Sequence, residues 1–470
     1  MRFSYLSFLL LLILPILLYF VTHGAVISDE GNILHSAQMI LDGKLPYRDF
    51  HFATTPFSLF LTAISFLLLK SSILSSRLLV LAVYLISSLL IFKTVFIATK
   101  NNFYAIISLL IFVSWAPSHV NFSYPSVYAV SFAILCCYLL MKFIQERTGR
   151  YLFFAGIASF LVLLSDRHIG IAFIFPVAIF FLVKHARSFS SVSFFLYGYI
   201  WSFILFCIYL LANQSFPQFV SDFSHSLITF DVGLFQKSVF QNLLYNTSFI
   251  ISVASFVLLY IRRRFHLLFL PAFLIFFFMT AVLSHDYINS VLLISLSGIS
   301  LALYLRYNVS SNIRLLLIVF SFITIFGGFY TGLFYGYYNT ITPLAENLNF
   351  FPHPKVNVFV DEKTERELTE IINVTKKYTV PKDYIFINSY EPMLYFVLDR
   401  RDPIKNTYRF AEQSPKRYYA EVLGNLVAKK VRILFLKHNG MNYLPIRNFV
   451  KKNYDYLMRI GHLDIYLLRS

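Results

Sequence analysis

Twelve apolar runs occupy most of the first three quarters of this chain, at about 4–22, 56–69, 77–97, 103–116, 127–143, 151–165, 169–184, 192–212, 244–261, 266–283, 288–305 and 313–335. A run of roughly 17–25 apolar residues, coiled as a helix, matches a hydrocarbon layer ~30 Å thick. Only 13% of the residues are charged, about half the share that a soluble domain carries. The chain therefore lacks the charge to cover a water-facing surface of its size. The implied fold class is an α-helical polytopic membrane protein. Its first run is read as a retained membrane helix, because no clear small-x-small cleavage site ends it.

Basic residues orient the runs. Lys142/Arg147/Arg150, Lys184/Arg187, Arg262-Arg263-Arg264 and Arg306/Arg314 mark alternate breaks, which makes those breaks cytoplasmic. The breaks 166–168, 213–243 and 284–287, and everything after about 336, then lie outside. Twelve full crossings from a cytoplasmic Arg2 would return the tail to the cytoplasm. Eleven to thirteen membrane helices are therefore expected, with 56–69 and 103–116 as the short candidates for a half-span.

The net charge of +17 is not a nucleic-acid footprint. Nineteen of the 40 Lys and Arg precede residue 350, mostly between apolar runs, and the tail carries about +8. Such a tail suits anionic head groups or lipid phosphates. No nucleic-acid partner is expected; the bilayer is. Cys136, Cys137 and Cys207 all sit inside apolar runs and form no disulfide or metal motif.

Ten acids precede residue 350, and in this topology all but Glu146 face outward. Asp222, Asp231 and Glu346 read as solvating outer segments. Asp29, Glu30, Asp166 and Asp286 differ, because each sits at the end of an apolar run, where a carboxylate is expensive unless solvated or used.

Past residue 350 the pattern changes. Asp361–Lys377 has Leu368, Ile371 and Ile372 at helical spacing. Tyr384–Ile387, Val431–Leu436 and Leu463–Leu468 read as strands, with a helix over Ser414–Lys430. Two domains follow: 1–340 in the membrane, with a first outer loop over 23–55, and 355–470 as a small extracytoplasmic α/β domain.

That first loop holds the most chemistry. Asp29-Glu30 opens an amphipathic helix with Ile33, Leu34, Ala37, Ile40 and Leu41 on one stripe, and Gly43 ends it. A helix lying on the outer leaflet would hold Asp29 at the water–lipid boundary. Transfer from a sugar phosphate needs a carboxylate to take the acceptor's proton and cations or a metal to stabilise the leaving phosphate. Asp29 is the candidate base, with Glu30 beside it. Arg48, His51, Arg167 and His168 are the candidate phosphate contacts; the planar fork of Arg suits phosphate well. Tyr47, Asp49, Asp166, His285, Asp286 and Tyr287 are candidates for the cavity wall, and His119, Asn121 and Tyr124 are read mainly as a polar turn. Plainer roles stand beside these: Glu30 solvating the helix start, Arg48 pairing with Asp49, and His51 capping or packing. A divalent ion, Mg or Mn, would also serve the phosphate, but no ligand set stands out.

The pattern Asp29-Glu30-Gly31, Ala37, Leu41-Asp42-Gly43-Lys44-Leu45-Pro46-Tyr47-Arg48-Asp49-Phe50 and Pro56 resembles bacterial glycosyltransferases with the C-type membrane fold. The likeness is greatest to the family 39-like branch of protein O-mannosyltransferases and lipid A aminoarabinose transferases. Ser76-Arg77-Leu78-Leu79, Leu164–Gly170, Ser284-His285-Asp286-Tyr287 and the tail extend the resemblance over most of the chain. It implies that Asp29 is the catalytic carboxylate and that the donor is a polyprenyl-phosphate sugar. It also implies an acceptor protein, lipid or glycan of the cell envelope, and a plasma-membrane location. Where the aminoarabinose branch has Lys-Pro-Pro-Leu, this chain has Thr54-Thr55-Pro56-Phe57, so Arg48, His51 or Arg167 must replace that Lys. A transporter or flippase for lipid-linked glycans is the rival reading. It would place charges deep within several helices and repeat one half in the other; the sequence shows neither pattern.

Overall fold

In the computed structural model each of the twelve apolar runs forms a helix. All residues are described except 1, 2, 53, 183–187, 229–238, 285–286, 309, 336–341, 389–390, 406–414, 439–443 and 470. The helices are α1 (Phe3–Thr22), α2 (Asp29–Leu41), α3 (Phe57–Leu69), α4 (Ile73–Thr99), α5 (Asn102–His119), α6 (Pro125–Glu146) and α7 (Gly149–Ser165). They continue with α8 (Arg167–Leu182), α9 (Phe189–Ala212), α10 (Phe216–Ile228), α11 (Val239–Ile261), α12 (Phe269–Ser284), α13 (Tyr287–Tyr307) and α14 (Ser311–Phe334). Among the described residues seven helices (α4, α5, α6, α9, α11, α13 and α14) are long and apolar enough to cross a membrane. Five shorter apolar helices accompany them, in α1, α3, α7, α8 and α12. Of the two short runs, 103–116 becomes the 18-residue α5, whereas α3 has 13 residues and spans only ~20 Å.

Side-chain size decides which helices are central. In α13 94% of the most apolar window is buried, against 17% in α9 and 22% in α14, whose exposed Phe, Leu and Ile suit lipid. The small faces of α13 and α5 let their backbones meet, as small residues do between membrane helices. Ser108 Oγ donates to the Gly298 carbonyl at 2.7 Å, and a Cβ on Gly298 would lie 2.7 Å from the Ser108 Cα. Helix starts are capped locally: Asn101 Oδ1 accepts the Phe103 and Tyr104 N–H groups, and Ser72 Oγ accepts that of Ser75.

The tail is the α/β unit that the sequence implies. A hairpin of β1 (Asn349–Phe351) and β2 (Val358–Val360) precedes α15 (Glu362–Tyr378), β3 (Ile385–Asn388) and α16 (Met393–Leu398). After these come α17 (Pro415–Ala428), β4 (Ile433–Lys437), α18 (Leu444–Asn453), β5 (Tyr454–Ile460) and β6 (Leu463–Leu468). The sheet order is β3-β4-β6-β5, with β3 and β4 parallel and the other pairs antiparallel. Period-two alternation turns Ile385, Ile387, Ile433 and Phe435 toward α15. The same alternation turns Phe386, Leu434 and Leu436 toward α17 and α18.

The first of those cores does not stop at the domain edge. Leu34 and Ala37 of α2 and Ala63 and Phe66 of α3 belong to it, and Phe66 stacks on Phe396 at 5.4 Å. This corrects the single-stripe expectation for α2. Ile33 and Met39 pack on the opposite side, against Tyr47, Phe50 and Leu59. The helix is clamped between two apolar clusters instead of lying on a lipid surface.

Candidate functional site

The start of α2 is fixed from three directions. Glu30 is wholly buried and pairs with the equally buried Arg77 of α4: Nε donates to Oε1 at 2.6 Å and Nη2 to Oε2 at 2.7 Å. Arg77 Nη1 also donates to the His23 carbonyl at 2.9 Å, and Glu30 Oε2 accepts the Val26 N–H at 3.0 Å. From the tail, Met393 N–H donates to the Ile27 carbonyl at 3.3 Å. Gly31 presses so closely on Met393 that an added Cβ would lie 2.3 Å from its nitrogen. Only glycine permits that approach. Asp29, 5% exposed, is thus the first residue of a helix whose position is set by its neighbours, where aligned N–H groups favour a carboxylate. Both oxygens of Glu30 are committed to the frame around it.

Arg77 is the residue of this frame that sequence reasoning passed over. It stood out only as part of a motif at the head of an apolar run. Its partner lies 47 positions away.

The end of the first loop is built differently. Tyr47 has a positive φ of 67°, a region that bulky side chains avoid. It is held there by its N–H bond to the Phe50 carbonyl at 2.9 Å and by its hydroxyl, which donates to the Thr54 carbonyl at 2.7 Å. Burial first, and the Asp222 charge second, push the Tyr47 hydroxyl well above its ordinary pKa. Arg48 and Asp49 form a two-bond ion pair at 3.0 and 2.8 Å with side chains 43% and 31% exposed. The hydrogen bond from Arg48 holds the Asp49 carboxyl below its usual value. His51 is buried against Asp222 of α10, with Nδ1 at 2.9 Å from Oδ2. The contact has ion-pair distance but not the angles of a directed hydrogen bond. Asp222, expected to solvate an outer loop, is instead buried, because α10 folds back onto the first loop: Ser215 Oγ donates to the Pro46 carbonyl at 3.2 Å. The tail closes this end too, with the His51 N–H on the Lys405 carbonyl at 2.9 Å. Lys405 Nζ in turn donates to the Arg48 carbonyl.

Asp166 caps α8 and ties it to α6. Its Oδ1 accepts the His168 N–H at 2.9 Å and its Oδ2 the Ser126 hydroxyl at 2.7 Å. This leaves Arg167 buried, within electrostatic reach of the Tyr47 hydroxyl, and His168 half-buried in the first turn of α8. Tyr287 opens α13, where its hydroxyl accepts from Gln241 Nε2 at 3.1 Å. It lies 6.4 Å, ring to ring, from His119, whose Nε2 is 3.0 Å from Thr331 Oγ1. His285 and Asp286 lie outside the described residues. The structure therefore gathers Tyr47, Arg48, Asp49, His51 and Arg167 at the same end of the bundle as Asp29. Among the described residues no group of three His, Cys, Asp or Glu side chains is arranged to hold a metal ion.

With the geometry in hand, comparison with solved structures is informative. The fold matches ArnT from Cupriavidus metallidurans bound to undecaprenyl phosphate, with a TM-score of 0.64 at 14% sequence identity, over 99% of this chain and 98% of that one. The apo form of the same ArnT matches with a TM-score of 0.61 at 15% identity, over 98% of each chain. No family model and no curated protein sequence matches. The chain thus has the ArnT-like polytopic fold from end to end, as the motifs of its first loop imply.

Proposed function

We propose that this chain is an inverting glycosyltransferase that moves a sugar from a polyprenyl-phosphate donor to an acceptor hydroxyl at the outer face of the plasma membrane. The observation that carries the reading is the end-to-end fold similarity to ArnT, a lipid A aminoarabinose transferase whose structure was obtained with undecaprenyl phosphate bound. The buried carboxylate at the start of α2 supplies the base. Asp29 takes the proton of the acceptor hydroxyl, and the freed oxygen pair attacks the anomeric carbon. The bond from that carbon to the phosphate oxygen breaks, and polyprenyl phosphate departs with the electron pair. Arg48, His51, Arg167 and His168 are the cations that receive it, and Glu30 acts through Arg77 to position α2. The membrane domain over 1–340 carries the reaction, and the α/β domain over 355–470 braces the first loop from the extracytoplasmic side.

Membranes containing the wild-type chain are to be incubated with radiolabelled polyprenyl-phosphate hexoses and pentoses. Loss of label from at least one donor, with free polyprenyl phosphate formed in equal amount, is the expected result. Label that crosses the bilayer still attached to its lipid would instead establish the transporter reading.

A further inference from the structure

Buried hydroxyls in this protein follow a rule. Ser88, Thr99, Ser108, Ser248, Ser252 and Ser321 each return their proton to a carbonyl four residues earlier in their own helix. Five hydroxyls at one end of the bundle break it. Thr54 Oγ1, Thr55 Oγ1, Ser58 Oγ, Ser165 Oγ and Tyr209 OH are buried without a hydrogen-bond partner. The other buried hydroxyls in that condition, Ser36, Ser76, Thr94 and Ser300, lie on α2, α4 and α13.

The five come from three places that the fold joins. Thr54, Thr55 and Ser58 lead into α3, Ser165 closes α7 beside Arg167, and Tyr209 lies edge-on to Phe60 at 5.4 Å near the end of α9. The Tyr47 hydroxyl donates to the Thr54 carbonyl, its ring meets that of Phe219, one turn before Asp222, edge-on at 5.2 Å, and Asp222 and Arg167 lie near enough to bias its ionisation. On the far side, Thr62 Oγ1 meets Ser123 Oγ at 2.7 Å, and Ser126 reaches Asp166, linking α3 through the start of α6 to the α7–α8 turn. Buried polar groups are nearly always satisfied, so a concentration of unsatisfied ones marks a place for a polar ligand.

The chemistry of the lining selects the ligand. A phosphate only accepts hydrogen bonds and is repelled by a carboxylate such as Asp222. A sugar ring both donates and accepts, which suits hydroxyls and a carboxylate together. Resting on the glycosyltransferase reading, we propose that Thr54, Thr55, Ser58, Ser165 and Tyr209 form the subsite that recognises the ring hydroxyls of the donor sugar. The phosphate sits at the edge of this subsite, on the cations assigned to it above, Arg167 and His51 among them.

The test measures equilibrium binding to the full-length chain in nanodiscs. The probes are bare undecaprenyl phosphate and a panel of undecaprenyl-phosphate-linked hexoses and pentoses. The wild type should bind at least one sugar lipid about tenfold more tightly than the bare lipid, as one or two added hydrogen bonds would give. Thr55→Val with Ser165→Ala, and separately the milder Tyr209→Phe, should erase that margin and keep the affinity for the bare lipid. Equal weakening toward bare and sugar-bearing lipids would make this an anion site and overturn the proposal. So would a margin that survives the substitutions, or a wild type that prefers no sugar of the panel; the hydroxyls would then hold water alone. A wild type that binds none of the lipids, bare lipid included, defeats the glycosyltransferase reading itself and the subsite with it.

Discussion

Two acid–base pairs hold the first loop, one at each end, and they are opposite in the structure. Arg48 and Asp49 are neighbours in the chain, meet through two hydrogen bonds and remain in contact with water. Glu30 and Arg77 make equally close contacts with no exposure at all. An exposed pair is screened by solvent and salt and contributes little. A buried pair gives no large net stability either, yet losing one member strands a charge in an apolar setting. Environment decides which pair is adjustable and which is part of the frame.

The sharpest way to break this contrast is Glu30→Gln. It leaves Arg77 buried without its counter-charge and should lower unfolding stability by about 3–5 kcal/mol, measured by thermal unfolding in detergent. Next comes the double variant Glu30→Leu, Arg77→Met, in which an apolar pair of similar volume restores much of the unfolding midpoint. Transfer should stay impaired, because nothing then ties α2 to the His23 carbonyl. Transfer that recovers along with stability would reduce the pair to packing. Among the cations, the buried Arg167 and the exposed Arg48 should separate in the same sense. Arg167→Ala raises the donor KM about tenfold or more, whereas Arg48→Ala changes it by about threefold or less and not at all in high salt.

The smallest effect expected is one of pH, at the far side of the α2 clamp. His462 Nε2 lies 2.7 Å from Glu391 Oε1, next to the segment that holds Gly31, and this hydrogen bond raises the His462 pKa. A histidine whose folded pKa is raised stabilises the fold fully below its unfolded value of about 6.5 and loses that contribution as pH rises through the folded value. The unfolding midpoint should therefore fall slightly across that window, and His462→Gln should flatten the decline.

The sequence made different parts of this molecule legible for different reasons. The twelve apolar helices were readable because each is a local run, and the strands around Phe386 and Leu434 because buried strands are short and apolar. The end of α2 near Gly43 was readable from residues only a few positions apart. What sequence could not disclose are contacts set by the tertiary fold. Glu30 with Arg77, His51 with Asp222 and Gly31 with Met393 join distant segments, and no periodicity encodes them. The single stripe assigned to α2 failed for the same reason, since a helix clamped by a tail domain on one side and α9 and α10 on the other buries more than one face. Asp222 looked like a solvated loop acid because the amphipathic α10 around it gives no sign of folding inward.

The most direct test of the account is the rate of sugar transfer by Asp29→Asn, at wild-type protein levels and with the unfolding midpoint measured alongside. The account predicts a loss of about 10²–10⁴-fold, the usual contribution of a general base, with the midpoint nearly unchanged because Glu30 and Arg77 still hold the helix. Transfer at a rate near that of the wild type would contradict it and remove Asp29 from the chemistry.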